Sequence, residues 1–332
     1  MKRIVKLCVF CVGIIALFLG CGDSGEKKET SEQAKRLTIG VIPKGTTHEF
    51  WKSIHAGAIK AKRELNVDII WKGPLKEDDR EEQLQIVETF ISSKVSAIVL
   101  APLDDRSLVR PVRDAKAQGI PTIVIDSDLQ GEIHVSFIAT DNYKGGVLAA
   151  ERIGELLNGK GEMLVLRYQE GSASTNNREQ GFLDTINSKF PEINILSDNQ
   201  YAGATTETAF RASENLLNRF GRVDAIFTPN ESSTFGCLRA LQDRGFAGNL
   251  VFVGFDSSEK LVEALEKGEL QGLVLQNPFA MGYLGVKTAV AYLSDGLVEK
   301  LIDTGVTIAT PENMNDPEIR QLLSLDLSEY LD

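Results

Sequence analysis

The chain has 332 residues, 42% of them hydrophobic and 25% charged, with Gly 29 and Pro 10. That composition excludes a collagen-like repeat, a coiled coil and a mostly disordered chain, and the length suits two domains. Lys plus Arg number 36 against 47 Asp plus Glu, a net charge of -11, which excludes sequence-independent nucleic-acid binding and leaves no polybasic arm for an anionic membrane.

Lys2, Arg3 and Lys6 precede an apolar run from Leu7 to Leu19. The run is too short to span a bilayer, which takes about 20 residues, and fits the h-region of a signal peptide over residues 1–20. It ends in Leu17-Phe18-Leu19-Gly20-Cys21. This resembles a bacterial lipoprotein processing site, which implies lipid on Cys21; the alternative is an ordinary cleaved signal, since Phe18 stands where an aliphatic residue is usual. Residues 21–36 are polar, with Ala34 the one apolar side chain after Gly22 other than glycine, and read as a flexible tether. Cys8 and Cys11 leave with the signal. Cys237 is then alone, so no disulfide framework is expected.

From Leu37 onward, short β-branched runs alternate with helical patterns. Strands are expected at Leu37–Ile42, Val67–Trp71, Ala97–Leu100 and Thr122–Ile125, and again at Glu162–Leu166, Ile193–Ser197, Ala225–Thr228 and Val251–Gly254. Strands roughly 25 to 32 residues apart with helices between them indicate βαβ units. Two α/β lobes with similar parallel sheets follow. Phe50, Ile54, Ala58, Ala61 and Leu65 form one apolar helical stripe, and Leu84, Val87 and Ile91 another. Asn277-Pro278 is a helix start, for a helix running to about Leu293, and Asp316-Pro317 repeats the signal.

Ligands of open parallel sheets bind beyond the carboxyl ends of the strands. Isolated polar residues fall there: Asp126 after Ile123-Val124-Ile125, Asn230 after Phe227-Thr228-Pro229, Asp256 after Val253-Gly254-Phe255, and Gln276 after Leu273-Val274-Leu275. The first strand is followed by Pro43-Lys44-Gly45-Thr46-Thr47-His48-Glu49-Phe50-Trp51. Each has a plainer reading. Asn230 and Asp256 suit helix caps, the latter paired with Glu259, and Phe50 or Trp51 suits packing of the first helix on its sheet. Their concentration at one edge of two lobes favours a shared cleft. Carboxylates and side-chain amides match vicinal hydroxyls, and an aromatic face covers the apolar side of a sugar ring.

Together with Thr140-Asp141-Asn142, Gly145-Gly146, Arg178 and Gly181-Phe182, these residues resemble the type I periplasmic binding proteins, in particular the ribose-binding branch of sugar receptors. The resemblance covers about Leu37 to Ile308. It implies two Rossmann-like lobes joined by a three-crossing hinge near Asp141, Gln276 and Asp303. The lobes would be residues 37–140 plus 277–303 and residues 141–276 plus 304–332. By the same resemblance Phe50 and Trp51 stack on the ligand, while Asp126, Asn230, Asp256 and Gln276 bond its hydroxyls. Departures from the ribose pattern fall at Lys44, His48, Ser127 and Asn176, with Arg178 matching a neighbouring arginine. They imply a ligand other than ribose: a hexose, a polyol or a sugar bearing an acidic group.

The function implied is a monomeric, lipid-anchored receptor on the outer side of a bacterial membrane, without cofactor or metal. It would deliver a sugar or polyol to an ATP-driven (ABC) permease and its ATPase. A ligand sensor for a membrane kinase or chemoreceptor is the alternative, and a secreted sugar-processing enzyme a third. Catalytic motifs fail on inspection. Gly154-x4-Gly159-Lys160 is followed by Gly161 where a phosphate loop needs Ser or Thr, and His48-Glu49 lacks the second histidine of a zinc-protease helix, Lys52 standing in its place. No nucleophile elbow occurs, and three histidines make a histidine-rich metal site implausible.

Overall fold

A computed structural model describes residues 36–324 and 326–331. The expected signal segment, Cys21 and all of the tether but Arg36 lie outside them. Two six-stranded sheets organise the described chain. The first takes β1 (Thr38–Ile42), β2 (Asp68–Trp71), β3 (Ala97–Leu100), β4 (Thr122–Ile125) and β5 (Ser136–Ala139), alternating up to β4 with helices α1 (Glu49–Leu65), α2 (Arg80–Ser92) and α3 (Val109–Ala117). After α4 (Asn142–Leu156) the pattern repeats. The second sheet takes β6 (Lys160–Arg167), β7 (Glu192–Tyr201), β8 (Ala225–Phe227), β9 (Val251–Phe255) and β10 (Gly272–Leu275). Between them run α5 (Ala173–Lys189), α6 (Thr206–Phe220), α7 (Glu231–Asp243) and α8 (Glu259–Glu266). The chain ends with α9 (Pro278–Leu293), β11 (Leu301–Asp303), β12 (Thr307–Ala309) and α10 (Pro317–Leu323).

The sheet orders are β2-β1-β3-β4-β5-β11 and β7-β6-β8-β9-β10-β12. Each reverses direction between its first and third strands, the switch point at which a crevice opens in doubly wound folds. β11 lies parallel to β5, whereas β12 is antiparallel to β10. The chain passes between the sheets three times: between β5 and α4, between β10 and α9, and between β11 and β12.

Both faces of each sheet are covered, which is why the strands read as unbroken apolar runs. In β1, Ile39 and Val41 join one core and Ile42 the other; in β6, Leu164 and Leu166 face one core and Met163 and Val165 the other. That alternation is the two-residue period of a strand. The helix starts agree with their sequence signals: Asn277 accepts from the Ala280 amide ahead of Pro278, and Asp141 accepts from the Lys144 amide. Asp316 is the N-cap of α10, but its side chain makes no capping bond.

Two helix pairs meet backbone to backbone through glycines. A Cβ on Gly57 of α1 would stand 2.0 Å from the Phe279 carbonyl oxygen, and one on Gly282 of α9 would stand 2.0 Å from that of Ile54. The second lobe repeats the device: Gly146 of α4 faces the Arg178 carbonyl at 1.9 Å and Gly181 of α5 faces that of Tyr143 at 2.1 Å. Cys237 is buried and free among the described residues. Also among them, no helix is long and apolar enough to cross a membrane.

Candidate functional site

Asp126 directly follows β4 and Asp256 directly follows β9, equivalent positions in the two sheets. Both adopt left-handed backbone, with φ of 62° and 68°. An aspartate visits that region more readily than most residues, yet the conformation is costly and gathers at functional sites. Each amide first continues the ladder, Asp126 to the Ile138 carbonyl and Asp256 to the Val274 carbonyl. The left-handed turn then takes the chain out of the strand, and both carboxylates line one cavity of about 30 Å³ between the lobes.

From the first lobe, the β1–α1 loop brings Lys44 and His48, and the start of α1 brings Phe50 and Trp51. Lys44 Nζ lies 2.7 Å from Asp126 Oδ2 as a buried ion pair, and also donates to Ser174 Oγ of the second lobe at 3.0 Å. Phe50 and Trp51 meet edge to face at 4.9 Å. Both belong to the core of the first lobe and both line the cavity, so the packing and binding readings coexist. Ser127 sits behind this wall, its hydroxyl accepting from the Ser174 amide across the lobes at 3.1 Å.

From the second lobe, α5 contributes Ser174, Thr175 and Arg178. The Arg178 guanidinium donates to Asn142 Oδ1 and the Pro229 carbonyl and lies 4.6 Å from the Phe255 ring. Asn176 is on the same helix but does not line the cavity. It is about 200° around the helix from Ser174 and from Arg178, so a residue two places away cannot share their face. Asn230 is the N-cap of α7 in a reciprocal capping box with Ser233, and it also lines the cavity. Asp256 does not cap α8, whose N-cap is Ser258. Its carboxylate accepts instead from Gln276 Nε2 at 2.7 Å and from the Glu231 amide at 2.9 Å.

Three residues that the sequence reading did not single out also line the cavity. Glu77, in the β2–α2 loop, accepts from Trp51 Nε1 at 2.6 Å, pairs with His48 Nδ1 and receives the Tyr168 hydroxyl from the second lobe. Tyr168 directly follows β6. Glu231 opens α7 and accepts from the Glu49 and Phe50 amides.

Burial works to lower the His48 pKa, but the charge and hydrogen bond of Glu77 outweigh it and push it up to about 9. Burial likewise works to raise Glu77, and His48 with the Trp51 and Tyr168 donors brings it down to about 2. Glu231 is pushed up to about 7 by burial, partly opposed by His48 and the two amides. Asp256 is raised by burial, with Arg178 opposing.

These shifts set a pH dependence of stability. The lowered Glu77 contributes fully above 4.5 and its contribution is lost as pH falls through about 2; the raised His48 contributes fully below 6.5 and is lost as pH rises through about 9. Glu231, raised, contributes fully below 4.5, and its contribution is lost as pH rises from there through about 7. Melting temperature is therefore expected to be highest at mildly acidic pH and to fall toward pH 9, with His48→Gln flattening the alkaline limb. A profile rising from pH 6.5 to 9 would contradict this assignment.

Three buried polar atoms at the cleft lack a hydrogen-bond partner in the chain: Arg178 Nη2, Gln276 Oε1 and Asp126 Oδ2, the last held only by its ion pair with Lys44. Such atoms are costly unless something else satisfies them. One donor and two acceptors around a small void suit hydroxyl groups. Among the described residues no group of three His, Cys, Asp or Glu side chains is placed to hold a metal.

Residues 39–297 match the family model described as periplasmic binding protein domain. The chain is 26% identical over 312 residues to the ribose import binding protein of Bacillus subtilis (strain 168), covering 92% of this chain and 99% of that protein. It is similar to a carbohydrate transporter solute binding protein from Agrobacterium radiobacter, solved in complex with D-arabinose, at 32% identity and TM-score 0.84, over 88% of this chain and 100% of the other. A solute binding protein from Agrobacterium vitis with bound D-fucose is 34% identical at TM-score 0.84, over 86% of this chain and all of its own.

Proposed function

The chain belongs to the periplasmic binding protein domain family, and from that premise we propose that it captures a neutral sugar or polyol between its lobes and delivers it to an ABC import permease. The observation that carries the ligand class is the pair of unpartnered polar atoms at the cleft, Arg178 Nη2 and Gln276 Oε1, which line one cavity with the ion-paired Asp126 of the other lobe. Charge balance supports neutrality. Lys44 is paired with Asp126 and His48 with Glu77, while Arg178 bonds the neutral Asn142 and Pro229 oxygens and its charge acts on Asp256. A sugar acid would add a further anion to a cavity already lined by Glu77, Asp126, Glu231 and Asp256.

The void of about 30 Å³ has room for a few water-sized groups, not a monosaccharide ring. Entry therefore requires the lobes to part, and the three passages between the sheets are where the chain bends. Binding then selects the conformations in which both lobes touch the ligand. No catalysis enters this reading, because the carboxylates are engaged in holding other residues. Lipid on Cys21, on the strength of the sequence reading of residues 1–36, completes it, with a monomeric state as the expected form.

Competitive titration of D-arabinose, D-fucose, ribose, polyols and sugar acids, with scattering at saturation, tests the proposal. A neutral member is expected to bind best and to reduce the radius of gyration. Preference for a sugar acid would overturn the neutral class, and an unchanged radius would overturn capture by closure.

A further inference from the structure

Helix α1 lacks a cap of its own. Its N-cap residue is His48, whose side chain makes no capping bond and is instead turned to Glu77. The Trp51 and Lys52 amides reach the His48 carbonyl, which leaves the Glu49 and Phe50 amides without a partner in their own lobe. Both are satisfied by one carboxylate from the other lobe: Glu231 accepts from Glu49 at 3.2 Å through Oε1 and from Phe50 at 3.0 Å through Oε2. A carboxylate at a helix N-terminus satisfies orphan donors and meets the positive end of the helix dipole.

We propose that Glu231 is an interlobe latch, a positioning residue that caps α1 when the cleft is closed and leaves it uncapped when the cleft opens. The inference rests on the reading of the molecule as a two-lobed capture protein, and it names what favours closure apart from the ligand. Glu231 is tied to the binding site through its backbone, because its amide donates to Asp256 Oδ2 while Gln276 bonds the other oxygen of that carboxylate. The contacts that place Asp256 therefore place the latch.

Glu231 is distinct from the other cross-lobe contacts. Lys44 to Ser174, Ser127 to Ser174 and Glu77 to Tyr168 join side chains or loops near the cavity. Arg80 to the Glu170 carbonyl, Gln169 to the Glu77 carbonyl and the Asp105 amide to the Gly171 carbonyl all end on loop backbone. Glu231 joins the first turns of two helices, α7 and α1, and completes a secondary-structure element in its partner lobe.

Amide hydrogen exchange on the full chain without added sugar tests this, comparing the native residue with Glu231→Ala and Glu231→Gln. Loss of an N-cap is expected to raise exchange at Glu49 and Phe50 by about fivefold to thirtyfold in the alanine variant. Trp51 and Lys52, which bond to His48, should change less, and the radius of gyration should rise. Glutamine keeps one acceptor oxygen and should restore protection at one of the two amides. Unchanged rates at Glu49 and Phe50, or loosening confined to α7, would overturn the latch. No sugar enters the measurement, so failure of the latch and failure of sugar capture give separate results.

Discussion

Glu77→Ala is expected to cost about 3–5 kcal/mol of stability, the range for removing one partner from a buried charged pair. The imidazolium of His48 would lose its counter-charge, and Trp51 Nε1 and the Tyr168 hydroxyl would lose their acceptor in the same step. Each abandoned buried donor adds its own desolvation penalty of about 1–3 kcal/mol, partly relieved where water can enter. His48 and Trp51 share a lobe with Glu77, so opening the cleft frees only Tyr168. The loss should thus appear in urea denaturation and not only in ligand affinity. Glu77→Gln keeps the shape and an acceptor but removes the charge, and should fall between the two. A midpoint within error of the native chain for Glu77→Ala would show that the network contributes nothing.

Gly146→Ala should be comparably damaging for a different reason. Alanine improves helix propensity by about 1 kcal/mol over glycine. Its methyl carbon, however, would stand 1.9 Å from the Arg178 carbonyl oxygen and 2.7 Å from the Phe182 amide. Backbone at that distance cannot swing away, so α4 and α5 must separate, at a cost of about 3 kcal/mol or more. The displaced segment carries Arg178, whose guanidinium is held by Asn142 and Pro229. Sugar affinity is therefore expected to fall together with the melting temperature. Retention of both would mean that the helix pair can be spread without strain.

The central strands of both sheets are legible in the sequence because a sheet covered on both faces selects unbroken apolar runs. β3 and β4 occupy the expected residues, and β1, β2 and β9 differ by one residue at an end. β11 and β12 are three residues each on the edges of their sheets, and β11 has two exposed side chains, so neither length nor pattern marks them. β5 has four residues and opens on Ser136, which leaves an apolar run of three. At the site, the strand-end rule finds Asp126, Asn230, Asp256 and Gln276. It would also have found Tyr168, which follows β6 directly. Glu77 is hidden because it lies in Lys76-Glu77-Asp78-Asp79-Arg80, a run that reads as a solvated loop until the fold buries one member. Glu231 reads as an ordinary acidic first-turn residue of α7; its role depends on a helix 182 residues earlier in the chain. Asn176, a position inferred by resemblance, does not line the cavity, because the helical period turns it away from the face of Ser174 and Arg178.

The three passages between the sheets bear on the order in which the molecule can be made. The first sheet lacks its sixth strand until residue 303, and the helix that covers β3, β4 and β5 is α9, at Pro278–Leu293. A chain lengthening from its amino end therefore carries β3 to β5 with one apolar face bare while β6 to β10 are being synthesised. Neither lobe matures as a contiguous block, and their completion falls together in the last tenth or so of the polypeptide. Contacts this distant in sequence form slowly, because the intervening loop must be closed first. The nascent protein thus stays without a finished core until nearly all of it is available, a delay written into the connectivity and not into any single residue.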